Sequence, residues 1–334
     1  MDRQAEQRPS PWHAGERMLQ QAHHVADRME ALGQRVIRDY MPDQHREFFH
    51  RLPFMVVGAV DSANRPWATL LEGPQGFVTS ADPCHLLLAV HPDPQDPAAS
   101  GLQAGQAIGM LGIELPTRRR NRINGGIRRV SAAGIEVRVE QSFGNCPKYI
   151  QARACIREPR PADGKPPRRD SDGLDEWGRA LIRAADTFFV ASYVDQADGT
   201  RAVDVSHRGG RGGFVRVDGN RLTVPDYAGN LFFNTLGNLL ANPVAGLLFI
   251  DFASGDLLQL SGRAELLADS PLVEAFVGAE RLWAFEVERV VVRPAATALR
   301  GQLLDPASAN LAAGARDAAD ARQSAGTDPA TRRP

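Results

Sequence analysis

DVSHRGGRGGFVRVDGNRLTVPDYAGNLFFNTLGNLLANPVAGLLFIDF, residues 204–252, carries the most informative pattern in the chain. Strand-like runs at 213–217, 221–224 and 244–252 flank one short amphipathic stretch, 231–241, which reads as a helix. Asn230 stands directly before that stretch as its N-cap. Asn230, Asn234 and Asn238 recur every fourth residue and so share one helical face, opposite Phe232, Leu236, Leu239 and Leu240. Asn is a poor choice inside a helix because its amide competes with the backbone. A face made of it therefore points to a polar partner, and a helix N-terminus behind a Gly-containing turn can receive an anion.

The strands come twice. GFV at 76–78 matches GFV at 213–215, GML at 109–111 matches GLL at 246–248, and Asn124-Gly125 matches Ser261-Gly262. The offsets 213−76, 246−109 and 262−125 are all 137, and Val60-Asp61 matches Val194-Asp195 after a small indel. Anchors at one constant offset mark a duplicated β unit. The reading by segments is a helical N-terminal extension at 1–52, a first copy at 53–157, a Pro- and charge-rich linker at 158–176, a second copy at 177–300, and a disordered, Ala- and Asp-rich tail at 301–334. Within the extension, the spacing of Met18, Ala22, Val25, Met29, Leu32 and Val36 predicts one helix over 12–40.

Several pieces together resemble a known family. They are DVSHRGG (204–210), GFVRV (213–217), PDYAGN (225–230), NLLANP (238–243), GLLFI (246–250) and SGRA (261–264), with LGIELPTRRRNR (111–122) and FGNCPKYI (143–150) in the first half. This pattern is similar to the pyridoxamine 5'-phosphate oxidase-like flavin-nucleotide-binding proteins, whose fold is the FMN-binding split barrel. The resemblance implies a mainly β chain, a β-barrel class with peripheral helices, built from two fused split barrels. It implies FMN as cofactor, with Arg201, Ser206, His207 and Arg208 on one strand and Asp226, Gly229, Asn230 and Asn234 at the helix turn holding phosphate and ribityl. A guanidinium fork with hydroxyl and backbone N–H donors suits a phosphate dianion. The best-known oxidases carry Arg and Lys at the helix turn where this chain has Gly229-Asn230, so their pyridoxamine-phosphate contacts are not carried over.

The first copy departs further. At the same offset Asp93 stands opposite Asn230, Pro97 opposite Asn234 and Gly101 opposite Asn238, and the Asp93 and Asp96 carboxylates there repel phosphate. That copy instead keeps the RRRNR cluster (118–122), represented by Arg119, and the Cys146-Pro147-Lys148 edge that the second copy lacks. In single-copy relatives the flavin lies between two protomers. Here one copy would supply the phosphate loop and the other Arg119 and Lys148, giving one FMN per chain between the halves. For the Arg cluster, the competing reading is an exposed charged hairpin.

The totals exclude other classes. In 334 residues, 39 Lys and Arg balance 40 Asp and Glu, so no field draws nucleic acid or a membrane surface. Three cysteines, Cys84, Cys146 and Cys155, make no disulfide framework, and His13, His23 and His24 lack ligand spacing, so no metal is expected. Cys146 has no sequence-local base to activate it, and neither Asp251 with Asp256 nor Glu114 with Glu136 has the setting of a hydrolytic pair. No GxGxxG motif marks a Rossmann nicotinamide site. No apolar run reaches membrane-span length and residues 1–10 lack a signal-peptide core, so the expected location is the cytoplasm. The reading is a flavoprotein oxidoreductase acting through FMN on an unidentified small substrate or electron donor, able to form a homodimer. The alternative is a non-catalytic flavin- or haem-binding module, an electron carrier or scavenger.

Overall fold

A computed structural model describes residues 9–158, 166–268 and 270–304. The chain is mainly β and duplicated. The first copy comprises β1 (Phe54–Val60), β2 (Pro66–Glu72), β3 (Val78–Thr79), β4 (His85–Leu88), β5 (Ala107–Glu114), β6 (Arg119–Ser131) and β7 (Gly134–Gly144). After it come β8 (Arg153–Arg157) and β9 (Arg169–Ser171). The second copy comprises β10 (Thr187–Asp195), β11 (Arg201–Gly209), β12 (Arg216–Asp218), β13 (Arg221–Tyr227), β14 (Val244–Ile250), β15 (Leu257–Leu267) and β16 (Ala279–Arg293), and β17 (Leu299–Leu303) follows it. The strand orders are β2-β1-β5-β6-β7-β4-β3 and β11-β10-β14-β15-β16-β13-β12, one order written twice. Even a bulge repeats, at Asn124/Gly125 and at Ser261/Gly262. Both sheets are antiparallel, and each is an open split barrel rather than a closed one.

The central strands β1 and β10 are mostly apolar and almost wholly buried because both their faces are covered. On β1, Met55, Val57 and Ala59 fill the core of the first copy, while Phe54 and Val56 face a separate core between the copies. On β10, Phe188 and Val190 face the second copy's core, while Phe189 and Ala191 join the shared one. An unbroken run such as FMVVGAV is what a doubly buried strand requires.

Two glycines let the copies approach. A Cβ on Gly109 would stand 2.6 Å from the Val203 carbonyl oxygen, and one on Gly246 would stand 2.2 Å from the Pro66 carbonyl oxygen. Gly109 and Gly246 are 137 residues apart, as are Pro66 and Val203, so one contact is made twice about a pseudo-twofold axis. The strands that follow each sheet, β8 and β17, also pair with one another.

The N-terminal extension is three helices, α1 (Ala14–Ala22), α2 (Ala26–Val36) and α3 (Asp43–Arg51). The single helix expected over 12–40 is interrupted at His23 and His24, where His24 takes a left-handed φ of 54°. The periodicity of the apolar residues persists across the break, which is why it hides it. Between the copies lies α4 (Glu176–Ala184), and within the second copy α5 (Asn234–Ala241). The first copy has only a 3-10 turn, Pro97–Gly101, in the place of α5. α1 packs on α5 through Gly15 and Gly237, each too close to the other helix's backbone for a side chain.

Three sequence expectations change. The helix predicted from 231 begins at Asn234, because Leu231 and Phe233 both adopt left-handed φ, 62° and 61°. Asn230 is therefore not its N-cap; its Oδ1 accepts from Phe232 N at 3.2 Å in a local turn. Of the RRRNR cluster, Arg119 to Arg122 lie on β6 rather than on an exposed hairpin, with Arg120 and Arg122 drawn into buried polar surroundings. In the segment read as a linker, residues 159–165 fall outside the described residues, but β9 pairs with β16 and Leu174 enters the second core. The tail expected to be disordered lies outside the described residues from 305 onward.

Gly246→Ala is expected to lose about 1–3 kcal/mol by forcing the copies apart. Gly126→Ala, whose Cβ would meet nothing closer than Glu140 at 3.8 Å, is the near-neutral control. Urea denaturation midpoints of the two variants check this.

Candidate functional site

A cavity opens where the two copies meet. The first copy supplies Arg120 and Arg122 from β6 and the segment after β7, with Asn145, Cys146, Lys148 and Tyr149. The second supplies Ser206, His207 and Arg208 from β11, Asp226 and Tyr227 from β13, the turn 229–233, the first residues of α5, and Arg281 from β16. Five cationic side chains and one carboxylate line it, in a chain whose net charge is −1.

Strand alternation decides which arginines serve. Arg120 and Arg122 point inward, while Arg119 lies on the opposite side of β6, its guanidinium 5.3 Å from the Phe48 ring. Arg122 is held hardest. Its Nη1 donates to Asp204 Oδ1 at 2.9 Å, its Nη2 donates to Ser206 Oγ, and it lies 5.5 Å from the Phe143 ring. Asp204 also accepts from Asn124 Nδ2 at 2.8 Å and from Asn238 Nδ2 at 3.1 Å. Burial is the main force lowering the pKa of Arg122 from its usual range, with Asp204 opposing it.

Arg120 donates through Nη1 to His207 Nδ1 at 3.1 Å. Burial, then Arg122, lowers the Arg120 pKa to about 10, which leaves it charged at neutral pH. Burial, with Arg120, Arg208 and Arg153 adding repulsion, pushes His207 well below its usual range, so it is neutral. A guanidinium can only donate. Nδ1 of His207 therefore accepts, and its proton sits on Nε2. Further along, Asp226 is shared by Arg208 at 2.5 Å and Arg281 at 2.7 Å.

Six buried polar atoms on the lining lack a hydrogen-bond partner among the described residues: Nε of Arg120, Arg122 and Arg208, His207 Nε2, Asn145 Oδ1 and Tyr227 OH. An unsatisfied buried group costs about 1–3 kcal/mol, so such a cluster marks a place built to meet a ligand or water. The turn above it stores strain of the same sense. Left-handed Leu231 and Phe233 each cost on the order of 1–3 kcal/mol, and packing holds them: Phe232 lies 4.8 Å from the Trp12 ring, and Arg281 lies 5.1 Å from the Phe233 ring.

Of the residues read from the sequence, Ser206, His207, Arg208, Asp226, Gly229, Asn230, Asn234 and Lys148 come together on this lining. Arg201 does not. It sits at the opposite end of β11, paired with Asp195 and stacked 4.3 Å over Tyr193, because at about 3.3 Å per residue a strand carries residues five to seven apart roughly 20 Å from one another. Arg119 is replaced by its neighbours for the reason of parity. Asn234 and Asn238 turn toward protein rather than cavity water: Asn234 Nδ2 donates to Glu16 Oε1 at 2.5 Å, and Asn238 Nδ2 to Ser192 Oγ at 3.0 Å. The lining also includes Arg281 and two tyrosines of the PDYAGN and FGNCPKYI motifs, Tyr227 and Tyr149, which are not among the expected site residues; Tyr149 OH donates to the Ala228 carbonyl at 3.0 Å and its ring lies 5.1 Å from that of Tyr227. Among the described residues no group of three or more His, Cys, Asp or Glu could hold a metal ion, and no helix is long and apolar enough to cross a membrane.

A family model described as pyridoxamine 5'-phosphate oxidase matches residues 41–165 and again residues 174–302. Similar solved structures include HupZ of Group A Streptococcus, 17% identical with a TM-score of 0.28, covering 35% of this chain and 91% of its own. A FAD-binding protein from Mesorhizobium loti is 16% identical with a TM-score of 0.27, covering 39% and 99%. HutZ, the heme storage protein from Vibrio cholerae, is 16% identical with a TM-score of 0.25, covering 34% and 91%. None of the curated proteins matches the chain.

Behind the cavity, α1 delivers a buried carboxyl. Burial, then Asp204, raises the Glu16 pKa to about 8, against bonds from Asn234 and His13 N that favour the anion. A carboxyl that stays protonated when folded binds more protons than the unfolded chain, so its contribution to stability is lost as pH rises from the ordinary carboxylate range toward 8. The parent is therefore expected to lose more stability than Glu16→Gln between pH 5 and pH 8, by on the order of a few kcal/mol. Urea titrations of both proteins at the two pH values read that difference.

Proposed function

Because the chain belongs to the pyridoxamine 5'-phosphate oxidase family in both of its halves, we propose that the cavity between them binds FMN, and that the protein is an oxidoreductase using it on a small substrate. The observation that carries this is the set of unpartnered Nε groups of Arg120, Arg122 and Arg208 on one strongly cationic lining drawn from both copies. Such a set suits a phosphate dianion, which offers several acceptor oxygens at once. Bound FMN supplies hydride and single-electron chemistry; the chain supplies binding, orientation and the surrounding charge.

Arg120, Arg208 and Lys148 would hold phosphate, with the first turn of α5, where Asn234, Thr235 and Leu236 line the cavity, adding backbone donors. His207 would donate through Nε2 to an acceptor on the ligand. The enclosed volume is about 130 Å³, room for on the order of ten waters and less than a whole flavin nucleotide fills. The remainder would lie in the mouth formed by Lys148, Gly229 and Asn230, all exposed.

The same histidine weighs against haem. An iron ligand needs a bare ring nitrogen, yet His207, the one histidine on the lining, spends its lone pair on Arg120 and carries its proton toward the cavity. An electron carrier or scavenger without turnover would use the same flavin-binding groups.

Two measurements test the reading. The supernatant of heat-denatured protein should show flavin absorbance and fluorescence; a Soret band in the native protein instead would exclude it. Arg208→Ala should weaken FMN binding by roughly tenfold to over a hundredfold, equivalent to about 1.5–3 kcal/mol, and leave riboflavin binding unchanged. An FMN dissociation constant the same as the parent's would sink the phosphate assignment.

A further inference from the structure

The pseudo-twofold axis creates a second position equivalent to the cavity, and the chain fills it. There the first copy contributes Thr69, Asp93 and Asp96 and the second contributes Gln259 and Arg293, the reverse of the division at the cavity. Thr69 stands 137 residues before Ser206, and Gln259 stands 137 after Arg122. Arg293 lies opposite Leu257 on the sheet, as Asn145 lies opposite Arg120, and Leu257 and Arg120 are again 137 apart. Asp96 caps the 3-10 turn Pro97–Gly101, and Phe233, 137 residues later, occupies the cap of α5.

The Asp96 carboxylate is saturated with donors. Oδ2 accepts from Arg293 Nη1 at 2.7 Å and from Thr69 Oγ1; Oδ1 accepts from Gln259 Nε2 at 3.1 Å and from Ala98 N at 2.9 Å. The second Arg293 nitrogen, Nη2, donates to Asp93 Oδ2 at 2.9 Å. Thr69, Asp96, Gln259 and Arg293 are all buried, with no more than 4% of any of them exposed. One guanidinium N–H of Arg293, a hydroxyl, a side-chain amide and a backbone N–H converge on the two Asp96 oxygens, a charge-assisted donor set of the kind that binds a free carboxylate or phosphate.

We propose that Thr69, Gln259 and Arg293 form a second small-anion site of this chain, occupied from within by the Asp96 carboxylate. The 3-10 turn acts as a strap whose anchor is this carboxylate, and it keeps the second position closed to external ligands. Asp96 also borders a surface cleft of about 300 Å³, lined in part by Trp67, Pro97 and Arg289, which gives a small anion an approach once the side chain is cut back. The inference does not depend on which ligand the first cavity holds.

Chemical rescue tests it. Asp96→Ala leaves Arg293 buried without its main partner and should lower the thermal midpoint by on the order of 10 °C in sodium chloride. Sodium formate, which restores the missing carboxylate, should recover much of that loss at equal ionic strength while leaving the parent unmoved. In the double variant Asp96→Ala/Arg293→Met the recovery should vanish. A formate effect no larger than that of chloride, or one that persists without Arg293, overturns the proposal. If Asp96→Ala does not fold in chloride, refolding from urea is compared in the two salts: recovery in formate alone supports the site, and failure in both rejects it.

Discussion

The ion pair between Arg122 and Asp204 crosses the boundary between the two copies with both side chains buried. Neither charge could stay there alone; removing one partner of such a pair costs about 3–5 kcal/mol because the other is left uncompensated. Asn124 from the first copy and Asn238 from the second complete the carboxylate's bonds, so the pair is also a junction of β6, β11 and α5. Everything at the cavity hangs from it. It sets the face of β6 that presents Arg120, and it fixes Ser206 beside His207. Through Asn238 it seats α5, on which α1 and Glu16 are packed.

Duplication made this arrangement possible, and divergence made it asymmetric. At the position of Asp204 the first copy has Trp67, whose Nε1 donates to Asp61 at 2.9 Å rather than reaching across the boundary. At the position of Arg122 the second copy has Gln259. One interface position thus gathered cations around open space, while its counterpart gathered a carboxylate and closed. The backbone frame stayed the same in both, down to the glycine contacts and the shared bulge. The two outcomes differ in a handful of side chains on conserved geometry, and the presence of α5 in one copy and a 3-10 turn in the other follows the same divide.

Much of the fold was legible in the residues. A constant offset of 137 implies two equivalent units whatever their structure. Runs such as FMVVGAV require strands covered on both faces, since alternation would have appeared had one face met water. The dense cluster after Asp204 pointed to Ser206, His207, Arg208, Asp226, Gly229, Asn230 and Asn234 on the part of the lining contributed by the second copy. What misled was local. Asn230 before an apolar run has every mark of a cap, yet the aromatic packing of Phe232 against Trp12, a residue more than two hundred positions away, delays the helix to Asn234. Likewise, five polar residues in RRRNR carry no alternation to show which arginines face inward.

The duplication, the β class, the apolar strands and the identity of the charged groups can be read from the residues alone, because these depend on composition, period and offset along one dimension. Which charges meet follows from packing in three dimensions. Arg120 rather than Arg119 faces the cavity because β6 is pinned in parity by the Arg122–Asp204 pair. Arg201 is excluded because a strand of nine residues carries its two ends to different surroundings. Asp93 and Asp96, repulsive to an anion when read along the chain, became the partners of Arg293 from the other copy. Electrostatic sign is a property of residues, but electrostatic compensation is a property of distance, and distances of this kind are set only when the two halves pack.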